Sequence, residues 1–141
     1  MRRGKLLELK DKILEVIGGE HVAAVATVSE GEPKVRFMAL VGNDDLSLTG
    51  ATMKSSRKVQ QIREKPVVAI SIWSGENYSD PYVVMESMTE VYEDMNMKKL
   101  FWNPNLEQYF QTPENPDYVV VKFVPQRIEY YGGMVMEAWE R

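Results

Sequence analysis

Apolar residues between Gly4 and Ile17 recur at three- and four-residue spacing, and Leu6, Leu9, Ile13, Val16 and Ile17 form one stripe. That stripe predicts an amphipathic helix, stopped by Gly18-Gly19 and packed on whatever follows, so residues 1–19 read as an amino-terminal helix. Strand signals then take over. His21–Ser29 is rich in Val and Ala, and Pro33–Val41 alternates. Val35, Phe37, Ala39 and Val41 fall on one face of that second strand, with Arg36, Met38 and Leu40 on the other. Glu30-Gly31-Glu32 between them reads as a hairpin turn. Gly42–Asp45 is a second turn cluster, leading into a short strand, Leu46–Thr49.

Val59 and Ile62, with Pro66 just beyond, predict a short helix. Val67–Trp73 is apolar enough to read as a strand covered on both faces, with Trp73 as core or as a wall. A polar connection, Ser74–Pro81, precedes a long strand, Tyr82–Tyr92. Asp94 is placed to cap a helix through Met97, Leu100 and Phe101 that ends by Asn103-Pro104. A second helical piece, Asn105–Phe110, lies beside it. After a loop at Gln111–Pro116 comes the last strand region, Tyr118–Tyr131, kinked at Pro125. Antiparallel neighbours joined by short turns favour a barrel or sandwich, and no Gly-x-Gly-x-x-Gly points to a Rossmann sheet. The predicted architecture is mainly β, an antiparallel barrel with flanking helices, in one domain over residues 1–141.

Composition narrows the chemistry. The chain has 141 residues, 44% hydrophobic and 27% charged, ordinary for a globular domain. No apolar run approaches the ~20 residues of a bilayer span. The basic start (Arg2, Arg3, Lys5) meets Glu8 after only Leu6-Leu7, which is a helix start and not a secretory segment. The expectation is a cytoplasmic protein without membrane attachment. A net charge of −4 argues against a general nucleic-acid binder. With no Cys and one His, His21, thiolate catalysis, disulfides and a His-rich metal site are excluded. A catalyst built on this chain would draw its reactivity from a cofactor.

The informative segment is Lys54-Ser55-Ser56-Arg57-Lys58, a basic cluster at the start of the Val59–Ile62 helix. Cations there oppose the positive end of the helix dipole, by about 0.3–1 kcal/mol each. The cluster makes sense if an anion joins the free N–H groups and serine hydroxyls at that point. Arg36 adds a guanidinium on an otherwise apolar strand face, where it needs a carboxylate, carbonyls or a phosphate.

The order of a strand bearing Arg36, a strand ending in Thr49, Ser56-Arg57-Lys58 at a helix start, then an apolar strand resembles the FMN-binding split-barrel family typified by pyridoxamine 5′-phosphate oxidase. The resemblance is closer to its general-stress-protein branch and runs from about His21 to Gly132. It includes Tyr82–Met85, Asp94, Leu100-Phe101-Trp102, Tyr109-Phe110 and Ile128–Tyr131. It implies an antiparallel split β-barrel. It further implies that FMN is held by Arg36, Thr49, Ser56, Arg57 and Lys58, in a homodimer with cofactor sites at the subunit interface.

Ser55 adds a hydroxyl to the phosphate site, and Phe37, Met38 and Ala39 offer an apolar slot with backbone groups for the ring. Where the oxidases place a Lys five residues after the strand Arg, this chain has Val41, and Lys54 is the available substitute cation. The spacer from Thr49 to Arg57 is longer than in the oxidases. The Arg-x-His element that holds pyridoxamine phosphate has no match in the tail, so vitamin B6 oxidation is not implied. The implied function is an FMN-dependent oxidoreductase. The alternatives are a flavin carrier or stress sensor without turnover, or a split barrel that binds a deazaflavin or haem.

Overall fold

A computed structural model of the chain describes residues 2–141, with side chains from residue 8 onward. Helix α1 (Arg2–Ile17) buries Leu9, Ile13, Val16 and Ile17, as its stripe requires. Leu6 of the same stripe lies outside the described side chains. Strands β1 (Gly19–Ser29) and β2 (Glu32–Gly42) pair antiparallel along their whole length. Their turn, Glu30-Gly31, has φ of 53° and 78°, the left-handed pair that matches the twist of a tight hairpin. Gly42 is required for space: a Cβ there would stand 1.9 Å from the Ile17 carbonyl oxygen, where α1 hands over to β1.

The barrel divides after that hairpin. Strand β3 (Leu48–Met53) pairs with β2 only at Val41–Thr49 and Gly42–Leu48, then leaves it to pair with β6 over Leu48–Met53. Strands β4 (Val67–Trp73), β5 (Tyr82–Tyr92) and β6 (Tyr118–Gly132) continue the sheet from β1. Six strands in the order β3-β2-β1-β4-β5-β6 therefore close on themselves through β3–β6, all antiparallel. The result is a split antiparallel barrel. One β6 residue, Gln126, is skipped opposite the Glu86–Ser87 step, so the kink expected near Pro125 is a bulge.

The inward residues of β1, β2, β4, β5 and β6, among them Val25, Leu40, Ile70, Met85 and Phe123, form the main core. Helix α2 (Arg57–Glu64) buries Val59 and Ile62, and Ile62 joins this core. Outside the barrel, α3 (Met95–Phe101), a 3-10 turn (Pro104–Leu106) and α4 (Glu107–Phe110) pack on a second cluster around Phe110, Tyr118 and Val120. Asp94 caps α3 by accepting the Met97 N–H at 3.0 Å. The Tyr118 hydroxyl donates to the Lys98 carbonyl at 2.8 Å, and burial pushes the phenol up to about 12.

Four expectations are corrected. The short strand begins at Leu48 and not at Leu46, because Asp45 accepts the Ser47 N–H and hydroxyl in a local turn and Leu46 takes a left-handed φ of 73°. It runs on to Met53. Strand β4 alternates buried and exposed and is not covered on both faces: Val68, Ile70 and Ile72 point in, Val67 and Trp73 point out. Trp73 is half exposed and lies outside the core. The carboxy-terminal segment, to which the sequence reading assigned no element after Tyr131, forms β7 (Val135–Glu140), paired with β6 beyond the closed ring. Among the described residues no helix is long and apolar enough to cross a membrane.

Candidate functional site

Because β3 turns away from β2 after two residue pairs, β2 below Val41 has backbone N–H and C=O groups on that side without a strand partner. A cleft of about 620 Å³ occupies this opening, within the ~300–1,000 Å³ of small-molecule sites. Phe37, Met38 and Ala39 of β2 border it on one side, with the end of β3 and the start of α2 at its head and the α3–α4 segment opposite.

At its head stand Thr52, Ser56 and Lys58. Ser56 has the extended backbone of a helix N-cap (φ −70°, ψ 151°), yet its side chain makes no capping bond. The hydroxyl is buried without any hydrogen-bond partner. A buried unsatisfied hydroxyl costs roughly 1–3 kcal/mol, and of the three such residues among those described (Ser56, Ser87 and Thr89) Ser56 is the one that borders the cleft. Lys58 Nζ donates to Thr52 Oγ1 at 2.8 Å. Burial holds its pKa below the usual lysine value, and the neighbouring Arg36 charge pushes it in the same direction.

Arg36 points into the barrel. Its guanidinium donates to Thr27 Oγ1 (2.7 Å), Gln61 Oε1 (2.9 Å) and the Val25 carbonyl (3.3 Å). Thr27 in turn donates to Gln61 at 2.7 Å, so β1, β2 and α2 are tied by one neutral network. No carboxylate lies within salt-bridge distance of Arg36 or Lys58 among the described residues. Lys58 and Arg36 are thus two neighbouring cations supported only by neutral groups, and Lys58 borders the cleft together with the orphaned Ser56 hydroxyl.

The structure separates the other residues that the sequence singled out. Thr49 is buried and accepts from Asn43 Nδ2 at 2.9 Å, beside a different recess on the far side of β3. Thr52, three residues on, holds the place beside Lys58 that the sequence gave to Thr49, because the strand runs to Met53. Lys54 is bound to Glu93 at 2.7 Å, together with Arg63 at 2.8 Å. Hydrogen bonds from these two cations hold the Glu93 carboxyl at about 2. Ser55 gives both its N–H (2.9 Å) and its hydroxyl (3.1 Å) to the Asp117 carboxylate. Arg57 is exposed and does not border the cleft.

Several contributors were missed from sequence. Thr52 was within reach: recognising Asp45-x-Ser47 as a turn moves the strand and brings this hydroxyl next to the basic cluster. Gln61, Glu93 and Asp117 carry no local signal, since their partners lie 25 to 62 residues away. The same holds for Asn103, Asn105, Gln108 and Tyr109, which face the cleft from the α3–α4 side.

A closed antiparallel ring that splits between β2 and β3, with a cleft in the opening, defines the split-barrel class. The family model for pyridoxamine 5′-phosphate oxidase matches residues 9–132, and the chain belongs to that family. Within it the chain is related to general stress protein 26. It is 28% identical to that protein of Bacillus subtilis (strain 168) over 122 residues, 86% of each chain. The crystal structure of General Stress Protein 26 from Bacillus anthracis str. Sterne superposes with a TM-score of 0.82 at 30% identity, covering 95% of this chain and 99% of the other. A heme binding protein from Mycobacterium smegmatis shares the fold at 18% identity and a TM-score of 0.76, covering 93% of this chain and 57% of that one.

Proposed function

We propose that this protein binds FMN and acts as a cytoplasmic, homodimeric flavin-dependent oxidoreductase. Thr52, Ser56 and Lys58 take the phosphate, and Arg36 reinforces them from behind. The ring lies along Phe37–Ala39, where the free edge of β2 offers backbone donors and acceptors to a pyrimidine ring. The observation that carries this reading is the buried, unpartnered Ser56 hydroxyl next to a partly desolvated Lys58. FMN supplies hydride or electron transfer when bound. The residues of the chain position it and keep water from one face.

The cleft's chemistry favours FMN over haem. No His or Cys borders it, and the one histidine has Nε2 2.7 Å from the Gly18 carbonyl oxygen. A homodimer is supported by the outward face of β1, β2 and β4. It exposes Val22, Val35, Phe37 and Val67, and Phe37 is shared with the cleft. Covering that face with a second copy brings two clefts to one interface.

The test is FMN titration followed by flavin fluorescence. Ser56→Ala with Lys58→Ala removes a hydroxyl and a cation from a charged group, about 1.5–3 kcal/mol each, and is expected to weaken binding at least ~100-fold. Arg57→Ala is expected to change it less than about threefold, in keeping with its exposure. Undiminished binding in the double variant overturns the proposed phosphate site. Bleaching of the loaded protein by NAD(P)H and its return with an added acceptor tests the oxidoreductase reading.

A further inference from the structure

The cleft is oppositely charged at its two ends. Lys58 and Thr52 occupy one. At the other stands Glu20 of β1, which pairs with Val41 of β2. Val41 also pairs with Thr49, and Thr52 lies three residues farther along β3, so the ends are ~14 Å apart, from two strand spacings of ~4.8 Å and three residues of ~3.3 Å. Among the described residues bordering the cleft, Lys58 is the only cation and Glu20 the only carboxylate. The α3–α4 wall between them contributes the neutral side chains of Asn103, Asn105, Gln108 and Tyr109.

An anion brought to the Glu20 end therefore meets a like charge and gives up water without a counter-ion, which is costly. A cation finds a carboxylate. An uncharged planar molecule finds amides for its polar groups and the Tyr109 ring for its face. The one cation of the cleft is already committed once a phosphate is bound.

We propose that the Glu20 end is a substrate subsite for uncharged or cationic planar organic molecules, and that Glu20 excludes anionic, including phosphorylated, compounds from it. This rests on the FMN reading, which places the phosphate at Lys58.

The test uses three probes with one ring and different charge: nicotinamide (neutral), 1-methylnicotinamide (cationic) and nicotinate (anionic). Each is titrated into the FMN-loaded protein, with loading checked by flavin absorbance and binding read from flavin fluorescence. Nicotinate is expected to bind at least about tenfold more weakly than the other two. Glu20→Lys is expected to reverse the order. Equal or tighter binding of nicotinate, an unchanged order in Glu20→Lys, or no binding of any probe overturns the proposal. A protein that takes up no FMN fails the cofactor reading and this one with it. A loaded protein indifferent to probe charge fails this one alone.

Discussion

At the residue scale, the site turns on two neighbours in α2's first turn that behave differently from each other. Lys58 is partly buried beside Arg36, whereas Arg57, one residue earlier, faces solvent. The folded pKa of Lys58 lies below its ordinary 10.5, so its charged form is disfavoured in the free protein. That penalty is present below the lowered value and is relieved as pH rises through it, so the unfolded state binds more protons in that window. In the proposed FMN site a phosphate dianion would supply the missing counter-charge, linking FMN affinity to the Lys58 proton. FMN affinity is expected to fall as pH rises toward the lysine range, beginning earlier than an ordinary lysine dictates. Lys58→Arg, whose guanidinium does not deprotonate, is expected to flatten that fall. An identical slope in both proteins would place the titrating group elsewhere. Thr52→Val and Thr49→Val form a matched pair: only the first is expected to weaken FMN binding, because Thr49 spends its hydroxyl on Asn43.

At the element scale, the question is what holds the β3–α2 turn in shape without its ligand. Asp117 grips it at three points: its carbonyl takes the Lys54 N–H at 2.7 Å, and its carboxylate takes the Ser55 N–H and hydroxyl. Asp117 is itself steadied by Asn115, whose side chain accepts its N–H at 2.9 Å. Glu93 at the end of β5 bridges Lys54 of the turn to Arg63 of α2. Lys54, read from sequence as a spare cation for the phosphate, instead fastens the loop. With a folded pKa of about 2 against an ordinary 4.5, Glu93 contributes fully above 4.5 and loses its contribution as pH falls toward 2. FMN affinity at neutral pH is therefore expected to be lower in Glu93→Gln, and the part of its acid loss between about 4.5 and 2 is expected to disappear. Asp117→Asn is expected to weaken FMN binding through loss of turn geometry, with Lys58's pH dependence unchanged. Both are read by equilibrium dialysis across pH. Wild-type acid release in Glu93→Gln would show that the bridge plays no part in holding the turn.

At the scale of the whole molecule, the outward residues of β1, β2 and β4 stand out. Their inward partners fill a core with little exposure, yet Val22, Val35, Phe37 and Val67 stay 61% or more exposed on the other side of the same strands. A continuous exposed apolar sheet face is normally covered by a partner. Val67→Glu, on an exposed side chain outside the cleft, is expected to shift the protein from dimer to monomer in analytical ultracentrifugation with little change in thermal midpoint. An unshifted sedimentation coefficient would count against a second copy on this face.

The helix stripe, the alternation of β2, the Asp94 cap and the placing of a basic cluster at α2's start were all legible in the chain, because each depends on residues within a turn or a strand of one another. The family followed from the order of such pieces. Three-dimensional packing decided the rest. Whether Thr49 or Thr52 meets Lys58 depends on where β3 leaves β2 for β6, and β6 begins 69 residues after Thr49. That β4 keeps an open face, and that the tail supplies β7, also depends on partners distant in sequence. The alternation in a strand states which side chains share a face, but only the closed sheet decides which face meets the core, the cleft or the solvent.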